Sequence, residues 1–352
     1  VKTERWTIDP AELATPASRD VLERAARTLR GGRLVAFPTE TVYGLGAHAL
    51  DPAAVAAIYR AKGRPSRNPL IVHVGSVDQA RALVTAWPDE AAALAAAFWP
   101  GPLTMVLPKQ AVVPDVTTGG GATVALRVPA HPIARALIEH AAIPLAAPSA
   151  NASNGISPTT ADHVLHSLDG RIDAVLDGGA CAVGVESTVV SLVAAPTLLR
   201  PGGLPIAAIE ACIGPLVRAV GDPTAAALPS PGMLARHYAP RATLTLHARG
   251  DDRAAVAEAL AAHAKVAWLP IGAPTALRLD GLGSTEAPDS EEAPAAVWTR
   301  PMPSDAAAYA SILYATLHDA DAWGADRIVV EAPPPGDEWL AVRDRLARAA
   351  QG

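Results

Sequence analysis

The alternation of apolar and polar stretches is sharpest between Arg33 and His73. An apolar run at residues 34–37 predicts a strand that stops at Pro38, because proline has no N–H to give a ladder. Hydroxyls and a carboxylate follow at once in Thr39-Glu40-Thr41, then Gly44 and Gly46, which let backbone come close to another group. Residues 53–61 predict a helix, with Pro52 in its first turn. That helix delivers Lys62 and Arg64 into a loop broken by Gly63, Pro65 and Pro69, and residues 69–74 read as a buried strand. Strand, polar turn, helix, basic loop, strand: this order describes a ligand site laid over the edge of a sheet.

The flanking pattern extends the sheet. Residues 19–30 predict an amphipathic helix with Val21, Leu22, Ala25, Ala26 and Leu29 on one face, closed by Gly31-Gly32. Helical segments follow at 77–87 and 90–98, and strands at 103–107 and 123–129; in the latter Thr123, Ala125 and Arg127 share a face. A helix after Pro132 leads to a strand at 144–147, whose end carries the polar run Ser149-Ala150-Asn151-Ala152-Ser153-Asn154 and, beyond Gly155, Ser157. Further strands are expected at 174–176, 187–193 and 197–199. This irregular mix predicts a mixed sheet instead of a regular doubly wound one. Residues 221–240 carry six prolines and glycines (Gly221, Pro223, Pro229, Pro231, Gly232, Pro240) and read as an extended connector, although His237 and Tyr238 are more than a spacer needs. Beyond it, strands at 244–246, 266–269 and 328–330 and helices at 251–264, 306–318 and 340–349 predict a small α/β domain, Rossmann-like in outline but without a dinucleotide glycine fingerprint. The expected division is 1–214, a connector 215–241, and 242–352.

Composition narrows the class. The 352 residues are 50% hydrophobic and 18% charged, enough to build two cores. Aromatics at 4% argue against bases stacked on an aromatic platform. No apolar run is long enough for a membrane span, the N-terminus lacks a signal-peptide pattern, and two distant cysteines suit neither zinc nor a disulfide framework, so a cytoplasmic protein is expected. The net charge is −6, yet residues 52–77 contain no acid while Arg60, Lys62, Arg64 and Arg67 supply cations. The helix dipole explains Arg60 and Lys62 at a helix C-terminus. It does not explain Arg64 and Asn68 among prolines, and an anion site, best for phosphate, is the stronger reading.

No P-loop is present, no histidines or cysteines have metal-ligand spacing, and Ser149 lacks nucleophile-elbow glycines. Cations, hydroxyls and one histidine gathered at strand ends suit positioning and charge stabilisation at phosphate or carboxylate. His73 taken alone reads as a core histidine; Glu40 and Glu186 read equally as substrate ligands or as partners of nearby cations; Cys181 and Cys212 read as small buried hydrophobes.

Together the motifs carry a resemblance. Pro38-Thr39-Glu40-Thr41-Val42-Tyr43-Gly44-Leu45, Lys62-x-Arg64, Gly101-Pro102-Leu103-Thr104, Ala147-Pro148-Ser149-Ala150-Asn151, Gly184-Val185-Glu186-Ser187-Thr188 and Leu199-Arg200-Pro201-Gly202 resemble the YrdC-like family over essentially the whole chain. The connector and C-terminal domain look like its long form, whose members are threonylcarbamoyl-AMP synthases. The resemblance implies a YrdC-like mixed twisted sheet with helices and a basic concave face, plus a small Rossmann-like C-terminal α/β domain. It implies condensation of L-threonine, bicarbonate or CO2, and ATP into threonylcarbamoyl-adenylate and pyrophosphate, the first step of the t6A modification of tRNA. Carried over by motif, Thr41, His73, Arg127, Ala147 and Ser187 would hold L-threonine. Arg64, Asn68, Thr123, Ser149, Asn151, Ser157, Arg200 and Tyr238 would hold ATP, with Lys62 and Arg64 the catalytic cations. Mg2+ would arrive with ATP, no protein metal site is expected, and downstream tRNA threonylcarbamoyl transferase proteins and weakly bound tRNA would be partners. The rival readings are a YrdC-like RNA-binding module without catalysis and the carbamoyl-transfer module of hydrogenase maturation proteins, whose zinc-finger and acylphosphatase segments are missing here.

Overall fold

The computed structural model describes residues 2–218, 237–262, 264–272 and 296–351. They fall into two compact units, Val1–Ser153 with Ser157–Ala235, and Asn154–Ile156 with Arg236–Gly352. Residues 219–236, most of the expected connector with its Pro223, Pro229, Pro231 and Gly232, lie outside the described residues.

In the first unit the described strands are β1 (Glu4–Thr7), β2 (Val35–Phe37), β3 (Gly44–His48), β4 (Ile71–His73), β5 (Leu103–Pro108), β6 (Thr123–Arg127), β7 (Leu145–Ala146), β8 (Ala174–Asp177), β9 (Thr188–Ser191), β10 (Thr197–Arg200) and β11 (Val217–Arg218). They make one sheet in the order β1-β8-β2-β3-β7-β4-β6-β5-β9-β10-β11. The sheet is mixed: β2 is antiparallel to β3 and parallel to β8, while β6 is parallel to β4 and antiparallel to β5. Its helices are α1 (Pro16–Arg30), α2 (Pro52–Lys62), α3 (Val77–Arg81), α4 (Asp89–Phe98), α5 (Pro132–Ala141), α6 (Ala161–Leu168) and α7 (Ile206–Ile213).

Local chemistry sets these boundaries. α1 starts a turn before its apolar periodicity, because the Thr15 hydroxyl accepts from Ser18 N–H (3.3 Å) and Pro16 opens the helix where an N–H has no partner to lose. Its Leu22, Ala25 and Leu29 pack with Ile133 and Leu137 of α5 and with Val35, Phe37 and Leu176 of the sheet. Each such leucine contributes roughly 1.5–3 kcal/mol by leaving water. The helix expected over 77–87 ends at Arg81; Val84 instead bridges to Lys109, and Pro88 stands at the cap of α4. β3 had no apolar run to announce it. A Cβ at Gly46 would stand 2.8 Å from the Phe37 ring, so the strand is built from the small residue its neighbour requires.

The second unit carries β12 (Thr243–His247), β13 (Val266–Leu269), β14 (Val297–Thr299) and β15 (Arg327–Glu331) as a parallel sheet ordered β12-β15-β13-β14. With α8 (Asp252–Ala261), α9 (Ala306–Trp323) and α10 (Leu340–Ala349) it has the expected Rossmann-like outline, though β14 was not foreseen and α9 runs past residue 318. Val256, Val266, Trp268 and Val329 form its core, and the buried Trp268 indole donates to Asp252 Oδ2 at 2.7 Å. Among the described residues no helix is long and apolar enough to cross a membrane.

Candidate active site

The basic loop is shaped by the end of α2. Asp51 Oδ1 accepts from Ala53 and Ala54 N–H and fixes where the helix begins. Gly63, at φ 62°, closes it in the left-handed conformation, with its N–H on Arg60 O and Arg64 N–H on Tyr59 O. The reversal leaves both Lys62 and Arg64 buried. Lys62 Nζ donates to Ser149 O (2.5 Å) and to Asn151 O, tying the helix end to the loop after β7. Arg64 donates to Asn68 O (3.2 Å), Asn68 Oδ1 (2.6 Å) and Pro69 O (2.9 Å). The Asn68 side chain is fully buried and, among the described residues, its Nδ2 has no hydrogen-bond partner, a donor that a ligand acceptor would satisfy.

A second cluster sits at the ends of β4 and β6, where the parallel register sets His73 opposite Arg127. Arg127, 3% exposed, donates from Nε to Gly101 O (3.2 Å) and from Nη1 to Thr41 Oγ1 (2.9 Å), and its Nη2 lies 2.7 Å from Glu40 Oε1. The two hydrogen bonds take two of the five guanidinium N–H groups and the Glu40 ion pair offsets the charge, which leaves N–H groups for an arriving carboxylate. Thr41 is steadied by Thr39, whose hydroxyl also bonds Val42 O (2.6 Å). The His73 and Phe37 rings stand nearly perpendicular with centroids 6.2 Å apart, and among the described residues His73 Nδ1 has no hydrogen-bond partner.

The remaining residues join by long-range contacts. Ser157 Oγ donates to Glu186 Oε1 (2.6 Å), Ser187 Oγ lies 2.8 Å from Thr104 Oγ1, and Arg200 donates to Ser187 O (3.0 Å) and Oγ (3.2 Å). Ala147 is held by its N–H on Ile71 O, and Ser149 bridges Gly44 of β3. Thr123 opens β6, half-buried, four residues along the strand from Arg127. The expected residues of the first unit thus gather on adjoining strand ends and loops. Tyr238 belongs to the other unit, where it is buried at φ 62°, its ring 5.7 Å from that of Tyr314 and 5.2 Å from the Arg345 guanidinium. Of the two acids, Glu40 pairs with the Arg127 cation, and Glu186 accepts from the Ser157 hydroxyl. Thr39 and Thr104 were missed as supports, although both lie in motifs the sequence displays.

Electrostatics follow from burial. Burial, with the Arg64 charge beside it, pushes the Lys62 pKa well below its usual range. His73 is pushed down to about 3 by burial and then by Arg127, so its imidazole is neutral near pH 7. Burial works to raise the Glu40 pKa, but the Arg127 charge and hydrogen bond outweigh it and the net shift is downward. The Cys181 thiol is pushed up to about 12 by burial and stays protonated.

Fold and site together define an α/β protein whose buried cations and hydroxyls gather on adjoining strand ends and loops of one mixed sheet. The comparisons name the family. Residues 27–202 match the family model described as telomere recombination, and residues 204–351 match the threonylcarbamoyl-AMP synthase C-terminal domain. The threonylcarbamoyl-AMP synthase of Bacillus subtilis is 42% identical over 100% of this chain and 99% of its own. That of Pyrococcus abyssi is 56% identical over a stretch covering 62% of this chain and 65% of the relative. The solved structure of P. abyssi Sua5 complexed with L-threonine has a TM-score of 0.84 at 39% identity, covering 100% of this chain and 98% of that one. The chain belongs to the threonylcarbamoyl-AMP synthase family.

Proposed function

We propose that this protein condenses L-threonine, bicarbonate or CO2, and ATP into threonylcarbamoyl-adenylate and pyrophosphate, with water as a further product when bicarbonate is the carbon source, the first step of t6A formation in tRNA. The observation that carries this reading is the buried Lys62, gripped by the Ser149 and Asn151 carbonyls beside Arg64, in a chain that matches a threonylcarbamoyl-AMP synthase along its whole length.

The chemistry asks for binding and charge stabilisation. The threonine amine attacks the carbon of CO2, or of bicarbonate with loss of water, and gives a carbamate. A carbamate oxygen then attacks the α-phosphorus of ATP, and the bond to the β-phosphate oxygen breaks to release pyrophosphate. Arg127 and Thr41 take the threonine carboxylate, and the neutral His73 with Ala147 and Ser187 lines the rest of the amino acid. Arg64, Asn68, Thr123, Ser149, Asn151, Ser157 and Arg200 take ATP, and Lys62 and Arg64 offset charge on the transferring phosphate. Among the described residues no group of three histidines, cysteines or carboxylates could cage a metal, and Glu40 and Glu186 are engaged with Arg127 and Ser157. The expected Mg2+ would therefore be held chiefly by the nucleotide's own oxygens. Residues 1–214 act as the catalytic domain, 215–241 as a closing connector that offers Tyr238 to the nucleotide, and 242–352 as the C-terminal domain. Work in the cytoplasm and hand-over to tRNA threonylcarbamoyl transferase proteins belong to the same proposal.

Pyrophosphate release is the test, with L-threonine and bicarbonate added singly and together. Release that needs both, with the adenylate seen by mass spectrometry, is the expected result. Release from ATP without threonine dependence would overturn it.

A further inference from the structure

The first unit has a cationic cavity that the proposed reaction does not use. It has a volume of about 550 Å³ and is walled by Gly32, Arg33 and Leu34 before β2, by Ala57, Arg60 and Ala61 of α2, and by Arg171 and Asp173 before β8. Arg33, Arg60 and Arg171 are all exposed, and among the described residues their guanidinium groups make no ion pair or hydrogen bond. The one acid of the lining, Asp173, turns Oδ2 to the Leu34 N–H at 2.9 Å. Three arginines thus line the cavity with one engaged carboxylate, and a second engaged acid, the helix-capping Asp51, stands beside Gly32, in a chain whose net charge is −6. Leu34 and Ala61 are buried and, with Ala57, give the cavity an apolar floor of short side chains.

We propose that this cavity binds a small phosphate-bearing molecule of up to nucleotide size. The volume lies within the range of roughly 300–1,000 Å³ that small-molecule sites occupy. Arginine forks fit phosphate oxygens two at a time, and the alanine floor accepts the carbon body of a phosphate ester. A nucleic-acid backbone would instead ask for a longer cationic track than one pocket supplies. The cavity is distinct from the active site. Arg60 and Lys62 share the last turn of α2, but residues two apart are about 200° apart around a helix, so they leave it on opposite sides.

Inorganic pyrophosphate, titrated calorimetrically, is the test ligand. The wild-type chain is expected to take up two equivalents, one of them at the active site. Arg33→Ala/Arg171→Ala should weaken one class at least tenfold while keeping the wild-type melt and the wild-type rate of threonine-dependent pyrophosphate release. Arg200→Ala should weaken only the other class. Identical isotherms for wild type and the double variant would overturn the proposal. So would a double variant that loses retention of tRNA with its pyrophosphate isotherm unchanged, which would make the surface a nucleic-acid contact. Loss of release activity with the second class intact would count against the synthase reading alone.

Discussion

The buried cations of the first unit's site and the buried Arg345 of the second unit are held differently. In the first, Lys62 is gripped by two backbone carbonyls, Arg64 rests on the Asn68 and Pro69 oxygens, and Arg200 on the carbonyl and hydroxyl of Ser187. In the second, Arg345 pairs with Asp344 at 2.7 Å and lies over the Tyr238 ring, while the exposed Arg249 and Arg241 pair with Glu331 and Asp321. A neutral oxygen fixes a cation's place and leaves its charge in force; a carboxylate cancels it. The first arrangement makes a field for phosphate, and the second mostly makes structure. Arg127 stands between, with Glu40 on one side and guanidinium N–H groups to spare.

Lys62→Ala should show the largest effect. Without the ammonium, nothing replaces its charge beside Ser149 and Asn151, and pyrophosphate release should fall by about 10²–10³, as when one preorganised donor is removed. A loss under threefold would break the contrast between the units. Next, Arg127→Lys replaces a planar fork by a point charge that cannot serve Gly101 O, Thr41, Glu40 and a carboxylate together. The KM for threonine should rise about 10–100-fold with the KM for ATP little changed, and equal rises in both would place Arg127 on the nucleotide instead.

The same pair of clusters explains what the sequence could and could not disclose. The basic loop was legible because glycine and proline punctuate it and no acid dilutes it, and the apolar face of α1 was legible from its period. β3 was hidden because its glycines answer to the Phe37 ring, a tertiary demand with no local pattern. The pairing of Thr104 with Ser187 spans 83 residues, and that of Arg127 with Thr41 spans 86, so neither leaves a trace in any window of sequence. Motif resemblance named Arg127 and Ser187, but only the structure shows what holds them. Tyr238 was named for the nucleotide, and the aromatic setting it has in the second unit, with Tyr314 and Arg345, was not foreseen.

Acid titration sharpens the contrast at a smaller scale. His73 has a folded pKa of about 3 against 6.5 when unperturbed, so between those values the unfolded chain binds a proton that the folded chain does not. Its contribution is complete above pH 6.5 and is lost as pH falls toward 3; Glu40, also depressed, adds a loss in the same direction below its ordinary value of 4.5. Together the first unit should lose on the order of a few kcal/mol on acidification. Melting temperature against pH should show this, and His73→Gln should flatten the limb between pH 6.5 and 4.5, whatever its cost at neutral pH.

The smallest expected effect is the one most able to damage the comparison. Arg249 is 86% exposed in its side chain, 3.3 Å from a Glu331 carboxylate that is itself 8% exposed and also accepts from Ile271 N–H at 2.8 Å. Arg249→Ala leaves that backbone donor in place, so the carboxylate is not stranded. An exposed partner in a screened pair is worth at most about 1 kcal/mol, and half a molar salt should already remove most of it from the wild type. Pyrophosphate release should stay within twofold. If instead it fell tenfold with the melt unchanged, a cation already cancelled by an acid would be shaping the chemistry, and the division between cations that act and cations that build would have to be redrawn.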